Sequence, residues 1–578
     1  MVSHDKAEIR ISANGETLNR VLRRRAVFAL IVFVSLASMG GSAAAQVSPS
    51  PGAEREPHQE SGRLGSSSLL LVTSDTIDRE RSDQLREGVP TGQSLLLRSP
   101  SSLTARLQGN PGRWRAALVA PQFLAVLNSS IPFSQNNGAL WAGKGLSTRT
   151  LTGFRIERDR LRIIVAPEII RSANANWPLF QDYYHPPVPA GYSPYYFPYY
   201  VGQFTIDQPM RFGKKSINRI DLGQTSALTS VRSMEVGFSN ENEWWGPGIR
   251  NALILSNNAP GFPHLFVRTA HPIATRLGDV EMRWLVGNLT ESKYFDTVST
   301  NNTRSLASVA ATLQTRWDPN LSLGFARSVY GTTTGGGQFL WRWFDVLART
   351  HLDVPDTLRT QRDQLFSLFG RWVFPADGVE VYGEWGRTQL QPSLRDFLLA
   401  PNHTQGYTIG LQWRGGNWRE GSFRLQGEIT QIEQSATFRD KPVGSWYTST
   451  RVIQGYTNRG EVLGASIGPG ASSQWLALDY LKPGWRIGAF AERIRWNQDV
   501  HNNAGLPVYE GYCSLDVTFG PGIRGAKDGR LGSFTAEWSF QDRLTPFFQN
   551  GGGCPNNGRR LDIRNNSLSI TFSPFPRR

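Results

Sequence analysis

Residues 407 to 430 read YTIGLQWRGGNWREGSFRLQGEIT, and this stretch decides the fold. Tyr407, Ile409, Leu411 and Trp413 are apolar, while Thr408, Gly410 and Gln412 between them are small or polar. After Gly415-Gly416-Asn417 the scheme resumes, with Phe423, Leu425 and Ile429 on one side and Arg424, Gln426, Glu428 and Thr430 on the other. A period of two broken by a glycine-rich turn is the pattern of a β-hairpin with one apolar face. Val379 to Trp385 and Ser533 to Phe540 repeat it. Looser strand candidates cover Trp114 to Leu127, Gly153 to Ile170, Val231 to Phe238, Asp279 to Leu289 and Ser308 to Trp317.

A soluble sandwich also alternates, so the connections must separate the two architectures. Tight turns recur at Asp318-Pro319-Asn320, Pro375 to Gly378, Gly415-Gly416-Asn417, Asn458-Arg459-Gly460, Lys482-Pro483-Gly484 and Ala526 to Gly529. Between them lie long connections such as Gly331 to Gln364 and Gln498 to Tyr512. If Asn566 to Phe572 runs down to the periplasm, counting backwards puts every one of these turns on the periplasmic rim. Short turns on one rim and long loops on the other are the pattern of a transmembrane barrel. The sequence therefore predicts an all-β fold: a transmembrane antiparallel β-barrel of about 16–18 strands, with inward-folded loops and a few short helices. Apolar faces would meet lipid and polar faces would line the lumen. The 18 Trp, 16 Tyr, 30 Phe and 58 Gly suit aromatic girdles and many turns.

Arg23, Arg24 and Arg25 precede an apolar run from Ala26 to Ala37, and Ala43 to Ala45 offers a cleavage site, the pattern of a secretory signal peptide. Three segments follow: a signal peptide over 1–45, a periplasmic linker with a short helix over 46–110, and the outer-membrane barrel with plugging loops over 111–578. Ser74 to Gly88 is the expected helix, its charged face solvated. Without residues 1–45 the chain keeps 56 Lys and Arg against 44 Asp and Glu, a balance of +12 that favours anionic partners. Acidic polysaccharide and outer-membrane lipid fit an exported basic chain; nucleic acid does not, and a monomer is expected. Cys513 and Cys554 both fall at the outer rim in the strand count, so a disulfide between them is expected.

The stretch from Asn242 to Phe266, NEWWGPGIRNALILSNNAPGFPHLF, is the least strand-like run in the chain, and Gln454 to Gly470 reads QGYTNRGEVLGASIGPG. WWGPG followed by LILSNNAPGFP closely resembles the signature of the Wzi family of capsule-assembly proteins, and the second block resembles that family's other recurrent segment. The resemblance implies an outer-membrane β-barrel that acts as a lectin for capsular polysaccharide and is not an enzyme. Pyranose rings stack on indole faces while amides and guanidinium groups satisfy hydroxyls and carboxylates. Trp244, Trp245, Arg250, Asn257 and Asn258 offer that combination and are the expected polysaccharide-binding residues. The alternative is a porin-type channel for anionic solutes. Trp177 to Phe204, with seven tyrosines and six prolines, and Gly331 to Gln364 would narrow such a pore.

Catalytic and cofactor readings are weak. Gly464-Ala465-Ser466-Ile467-Gly468 matches a hydrolase nucleophile pattern but lacks the strand-turn-helix context. Glu380 and Glu384 share a strand face, where pairing with arginines such as Arg424 explains them without a glycosidase. No pair of histidines stands at i, i+4 and the two cysteines lack ligand spacing, so no metal and no cofactor are expected.

Overall fold

The computed structural model describes residues 69–87, 94–179, 205–333, 335, 337–347, 361–389, 393–440, 443–503, 515–548 and 562–574. Among them, eighteen antiparallel strands close into a barrel. In chain order these are β1 (Arg115–Asn128), β2 (Gly145–Arg158), β3 (Leu161–Val165 continued by Glu168–Ser172), β4 (Ile217–Asp221 continued by Ser226–Val231), β5 (Met234–Ser239) and β6 (His264–Thr269 continued by Ile273–Ala274). There follow β7 (Gly278–Thr290), β8 (Thr303–Thr315), β9 (Leu321–Thr333), β10 (Arg362–Phe374), β11 (Val379–Arg387) and β12 (Gln405–Trp418). The last are β13 (Gly421–Gln431), β14 (Ser472–Lys482), β15 (Trp485–Arg495), β16 (Val517–Gly529), β17 (Gly532–Leu544) and β18 (Ile563–Ser573). Each pairs with its chain neighbour, and β1 closes on β18 through Phe123 to Asn128 against Ser567 to Phe572. Closure leaves no sheet edge, the condition for a sheet to sit in hydrocarbon.

The alternation places side chains as expected. On β12, Ile409 is 58 % exposed while Thr408 and Gln412 are fully buried, and on β15 Ile487 is equally exposed. Apolar side chains outside and polar ones inside invert a soluble protein, because the outer solvent is lipid. Trp418, Phe423, Tyr480 and Trp485 gather at the short-turn end, with Trp418 stacked on Phe423 at 6.5 Å and in edge contact with Tyr480 at 5.4 Å, an interfacial girdle. Leu425 lies at mid-height on this outer face, so Leu425→Arg is expected to destabilise the barrel by ~2–4 kcal/mol. Urea titration of the lipid-inserted protein checks this; tolerance of the charge would mean the faces are reversed.

Most turns fall where the strand count put them, with shifts. The β12–β13 turn is Arg419-Glu420 rather than Gly415-Gly416-Asn417, which sits in a bulge inside the hairpin. The β16–β17 turn lies just beyond Gly529. Gly153 to Ile170 is two strands, not one, broken where Asp159 adopts φ 47°. Asn458-Arg459-Gly460 is not on the short-turn rim: it closes a small hairpin, Thr457–Asn458 with Glu461–Val462, inside the long β13–β14 connection. Its turn chemistry is that of a barrel hairpin, and only its burial reveals the difference.

The described part of the β9–β10 connection does not narrow the pore. Phe339, Trp343 and Val346 pack on Trp284, Val286 and Ala307, which point outward from β7 and β8, and the Trp284 indole donates to the Trp343 carbonyl at 3.1 Å. The lumen at that height is already filled, by Leu285, Leu306 and the signature segment's Leu253 to Leu255. The aromatics of this loop instead fill a depression that Ala307 leaves in the outer wall. The tyrosine-rich run of Trp177 to Phe204 lies almost wholly outside the described residues, as do Cys513, Cys554 and the disulfide expected between them.

Candidate functional site

Three chain segments meet inside the barrel. Residues 69–107 carry helix α1 (Asp75–Glu87) and the two-residue strand Leu97–Arg98, which pairs with Trp244–Trp245 of the β5–β6 connection. The β13–β14 connection supplies the third. Segments that enter from the two ends of the lumen are thus joined by backbone hydrogen bonds.

Trp244 and Trp245 are 1 % and 0 % exposed. The Arg98 guanidinium covers the Trp244 ring at 5.1 Å, and Val72 and Ala252 pack around it. Trp245 joins Leu96, Leu253 and Tyr447 in the main core, its indole N–H donating to Glu243 at 3.0 Å. The sequence reading therefore needs correction: both indoles are plug core and present no free face for stacking. Burial of each contributes ~2–3 kcal/mol to plug stability.

The turn between them and the wall is shaped by carboxylates. Glu428 accepts hydrogen bonds from the backbone N–H groups of Ile249 (2.5 Å), Arg250 (3.1 Å) and Asn251 (2.9 Å) and from the Tyr382 hydroxyl (2.8 Å). Glu384 accepts from the Leu253 N–H at 3.0 Å. Gly246, at φ 116°, lets the chain pass this carboxylate; a Cβ there would lie 2.9 Å from Glu384 Oε2, and one on Gly248 would lie 1.8 Å from the Asn251 carbonyl oxygen. Glu380 is paired as expected, though with Arg371 and Arg81 rather than Arg424. Glu384 holds the plug backbone instead of an arginine.

The two recurrent segments, some two hundred residues apart, bind each other. Ser256 donates from its N–H to the Leu463 carbonyl at 2.9 Å and from its hydroxyl to the Gly464 carbonyl at 2.6 Å. Asn258 donates to the Val462 carbonyl at 2.9 Å, and Tyr447 donates to the Leu253 carbonyl at 3.0 Å while accepting from the Ala465 N–H. Ser466, the candidate nucleophile, spends its hydroxyl on Asn251 Oδ1 at 3.1 Å. Glycines and amides recur here because two irregular backbones must satisfy each other without a regular ladder.

Helix α1 covers the β10 to β16 side of the short-turn end. Much of its charged face is buried rather than solvated, with Glu80 and Asp83 exposed: Asp78 pairs with Arg424 (2.9 Å) and Arg486 (2.5 Å), Arg81 with Glu380, Arg79 with Asp528, and Asp83 with Arg414 (2.5 Å). Fully buried Asp479 joins Arg424 to Arg524 at 2.7 and 2.6 Å. Burial opposes ionisation of Asp78, but Arg424, Arg486 and Arg524 together hold its carboxyl far below the usual range. Sequence reading missed this role because a helix rich in both charges looks solvated until its partners, three hundred residues on, are known.

Between the plug and the wall formed by β17, β18 and β1 a cavity of ≈ 380 Å³ remains. Ser567, Ser569, Thr571 and Ser573 of β18 face it, with Arg149 two strands along the same wall on β2 and Arg98 and Arg250 on the plug side. Arg250 lies over the Trp475 ring at 5.5 Å, within 3.7 and 3.8 Å of Glu492 and Glu537. Asn257 donates to Thr73 Oγ1 at 3.3 Å and to the Asn136 carbonyl at 2.9 Å. Of the five expected binding residues, Arg250 lines this cavity, Asn257 bonds two residues that line it, and Asn258 is part of the join between the two segments.

A second buried polar cluster lies beyond the outer ends of the strands. Asp207 accepts from the Ser292 N–H and hydroxyl, both at 2.6 Å, and Glu291 accepts from Gln454 at 2.6 Å. Burial raises Glu291 to about 8, with nearby Asp296 and Asp207 adding to it, and burial raises Asp207 to about 6. A carboxyl raised in the folded state contributes stability below its unfolded pKa and loses it as pH climbs through the folded value. The protection factors of amides in residues 291–302, taken relative to the intrinsic exchange rate at each pH, are therefore expected to fall between the ordinary carboxyl range, pH ~4, and pH about 8, and Glu291→Gln to flatten the upper part of that fall. A pH-independent protection factor would contradict the assignment.

Lipid-facing walls, a closed meander of eighteen strands and a lumen filled from both ends define a plugged outer-membrane β-barrel. A model of the family "Capsule assembly protein Wzi" matches residues 190–489, which include both recurrent segments. The chain belongs to that family. Among solved structures it is similar to Wzi of Escherichia coli (12 % identity, 79 % of this chain and 85 % of that one covered, TM-score 0.49). It is also similar to OccK2 (OpdF) and OprD of Pseudomonas aeruginosa. OccK2 is 11 % identical, with 80 % of this chain and 98 % of that one covered and a TM-score of 0.36. For OprD the values are 9 %, 80 %, 95 % and 0.37. No curated protein matches the chain.

Proposed function

We propose that this protein is a non-enzymatic lectin of the outer membrane that helps hold capsular polysaccharide at the cell surface. The observation that carries the reading is the use the chain makes of its family segments: they build a braced plug whose carboxylates, Glu384 and Glu428, are committed to backbone N–H groups. Carboxylates so engaged are poorly suited to acid–base work, and a filled lumen is poorly suited to conduction. The balance of +12 left without residues 1–45 supports an acidic polysaccharide as partner. Residues 1–45 act as signal peptide and 46–68 as a periplasmic tether, and the barrel works as a monomer.

The test compares capsule retention on cells lacking the protein, cells complemented with it, and purified protein on immobilised capsular polysaccharide. Loss of retention and saturable binding without release of sugar fragments are expected. Unchanged retention together with no binding defeats the reading, and a large steady conductance of the parent protein in planar bilayers favours the porin alternative.

A further inference from the structure

We infer that the luminal cavity beside β18 is a binding site for a carboxylated sugar, its carboxylate taken by Arg98 and Arg149. The inference rests on the lectin reading and assigns it a ligand class and a place. Arg98 is 5 % exposed and Arg149 8 %, both border the cavity, and neither has a carboxylate partner among the described residues. Arg98 donates from Nη1 to the Val72 carbonyl at 3.2 Å and its Nε–H has no acceptor; Arg149 donates from Nη1 to the Asn137 carbonyl at 3.0 Å. Each guanidinium presents five N–H donors, so most of this capacity is open to a ligand.

The two groups flank one stretch of the cavity. Val72, which Arg98 holds, adjoins Thr73; Asn257 bridges Thr73 to Asn136; and Asn136 adjoins Asn137, which Arg149 holds. The carboxylates that also border the cavity are already engaged, Glu537 near Arg250 and Asp75 and Asp78 with Arg79 and Arg486. Burial disfavours the charge of Arg98, and nearby Arg81, Arg371 and Arg283 add to this while Glu380 offsets part of it; those three arginines have carboxylate partners of their own, which Arg98 lacks among the described residues. A buried cation of this kind is costly unless an anion meets it. The wall two strands along from Arg149 adds the second half of the recognition: Ser567, Ser569, Thr571 and Ser573 form a ladder of hydroxyls at strand spacing, able to replace water around the hydroxyls of a sugar ring. Thr571 and Ser573 are partly exposed, so the cavity is reached from the short-turn end, between α1 and β18. Carboxylate on guanidinium and ring hydroxyls on serine describe a uronic acid unit better than a bare inorganic anion.

Calorimetry on the detergent-purified full chain would compare a galacturonic acid trimer, its methyl ester, a neutral galactose trimer and inorganic phosphate, with capsular polysaccharide as a separate arm. The acid trimer is expected to bind at least tenfold more tightly than the ester or the neutral sugar. Arg98→Gln and Arg149→Gln should each remove most of that preference, and Arg98→Lys should restore part of it; heat-modifiable migration on gels verifies that each variant is folded. Equal affinity for acid and ester overturns the inference, as does equal competition by phosphate or an unchanged preference in both glutamine variants. If polysaccharide binds parent and variants alike, the inference fails while the lectin reading stands; if neither trimer nor polysaccharide binds the parent, both fail.

Discussion

A Glu428→Ala variant is expected to conduct ions more readily than the parent barrel. Four hydrogen bonds converge on this carboxylate, three of them from consecutive backbone N–H groups of the turn after the Trp pair, and all four donors lie at the wall of a poorly hydrated lumen. Each buried donor left without an acceptor costs ~1–3 kcal/mol. The turn would then lose several kcal/mol of anchoring while the lipid-facing strands lose none, and the balance tips towards a loosened β5–β6 connection. Glu428→Gln, which keeps one strong acceptor, should lie between parent and alanine. Planar-bilayer conductance, paired with protease cleavage near Ile249, measures the effect. An Ala variant as tight and as resistant as the parent would show that the core around Trp245 holds the plug alone.

The second large effect is expected at Asp479. Its oxygens accept from Arg424 Nε and Nη2 at 3.0 and 2.7 Å and from Arg524 Nε and Nη2 at 2.8 and 2.6 Å, and the group is fully buried. Asp479→Ala leaves two guanidinium groups in the wall with Asp78 as their remaining carboxylate, a loss of ~3–5 kcal/mol for a broken buried pair. Helix α1 should undock and the urea midpoint should fall. The same network argues that Arg424→Ala is far from neutral, although a lumen-facing arginine on a barrel strand reads as dispensable. Asp78 adds a sign: its carboxyl is depressed in the folded state, so its contribution is present above the usual carboxylate range and persists well below pH 4. Helix docking should accordingly survive mild acid in the parent and be lost first in Asp479→Ala.

The wall was legible from sequence because lipid enforces a binary choice at every strand position; Tyr407 to Thr430 shows both faces without ambiguity. Legibility failed where that choice is relaxed. Nothing local distinguishes Asn458-Arg459-Gly460, a turn buried in the plug, from Lys482-Pro483-Gly484 on the rim. FLWRWFDV at 339–346 is amphipathic enough to lie on either side of the wall, and the filled lumen decided its side. The site suffered most: the aromatic pair invited a stacking role, yet its large apolar faces are the reason it is buried. Arg98 and Arg149, which have no carboxylate partner among the described residues, are ordinary in sequence, since that lack is a property of the assembled lumen alone.

The pairing of Leu97–Arg98 with Trp244–Trp245 has a topological consequence. Residues 94–107 are encircled by a covalently continuous wall whose ring is completed by the short β1–β18 seam. Because α1 before it and the start of β1 after it both lie at the short-turn end, the segment can enter or leave the closed ring only along the barrel axis, past α1's ion pairs. Its residence is therefore governed by a barrier as well as by the sum of its contacts. The plug behaves as a bolt pushed home from one end, slow to withdraw once the ion pairs have closed behind it.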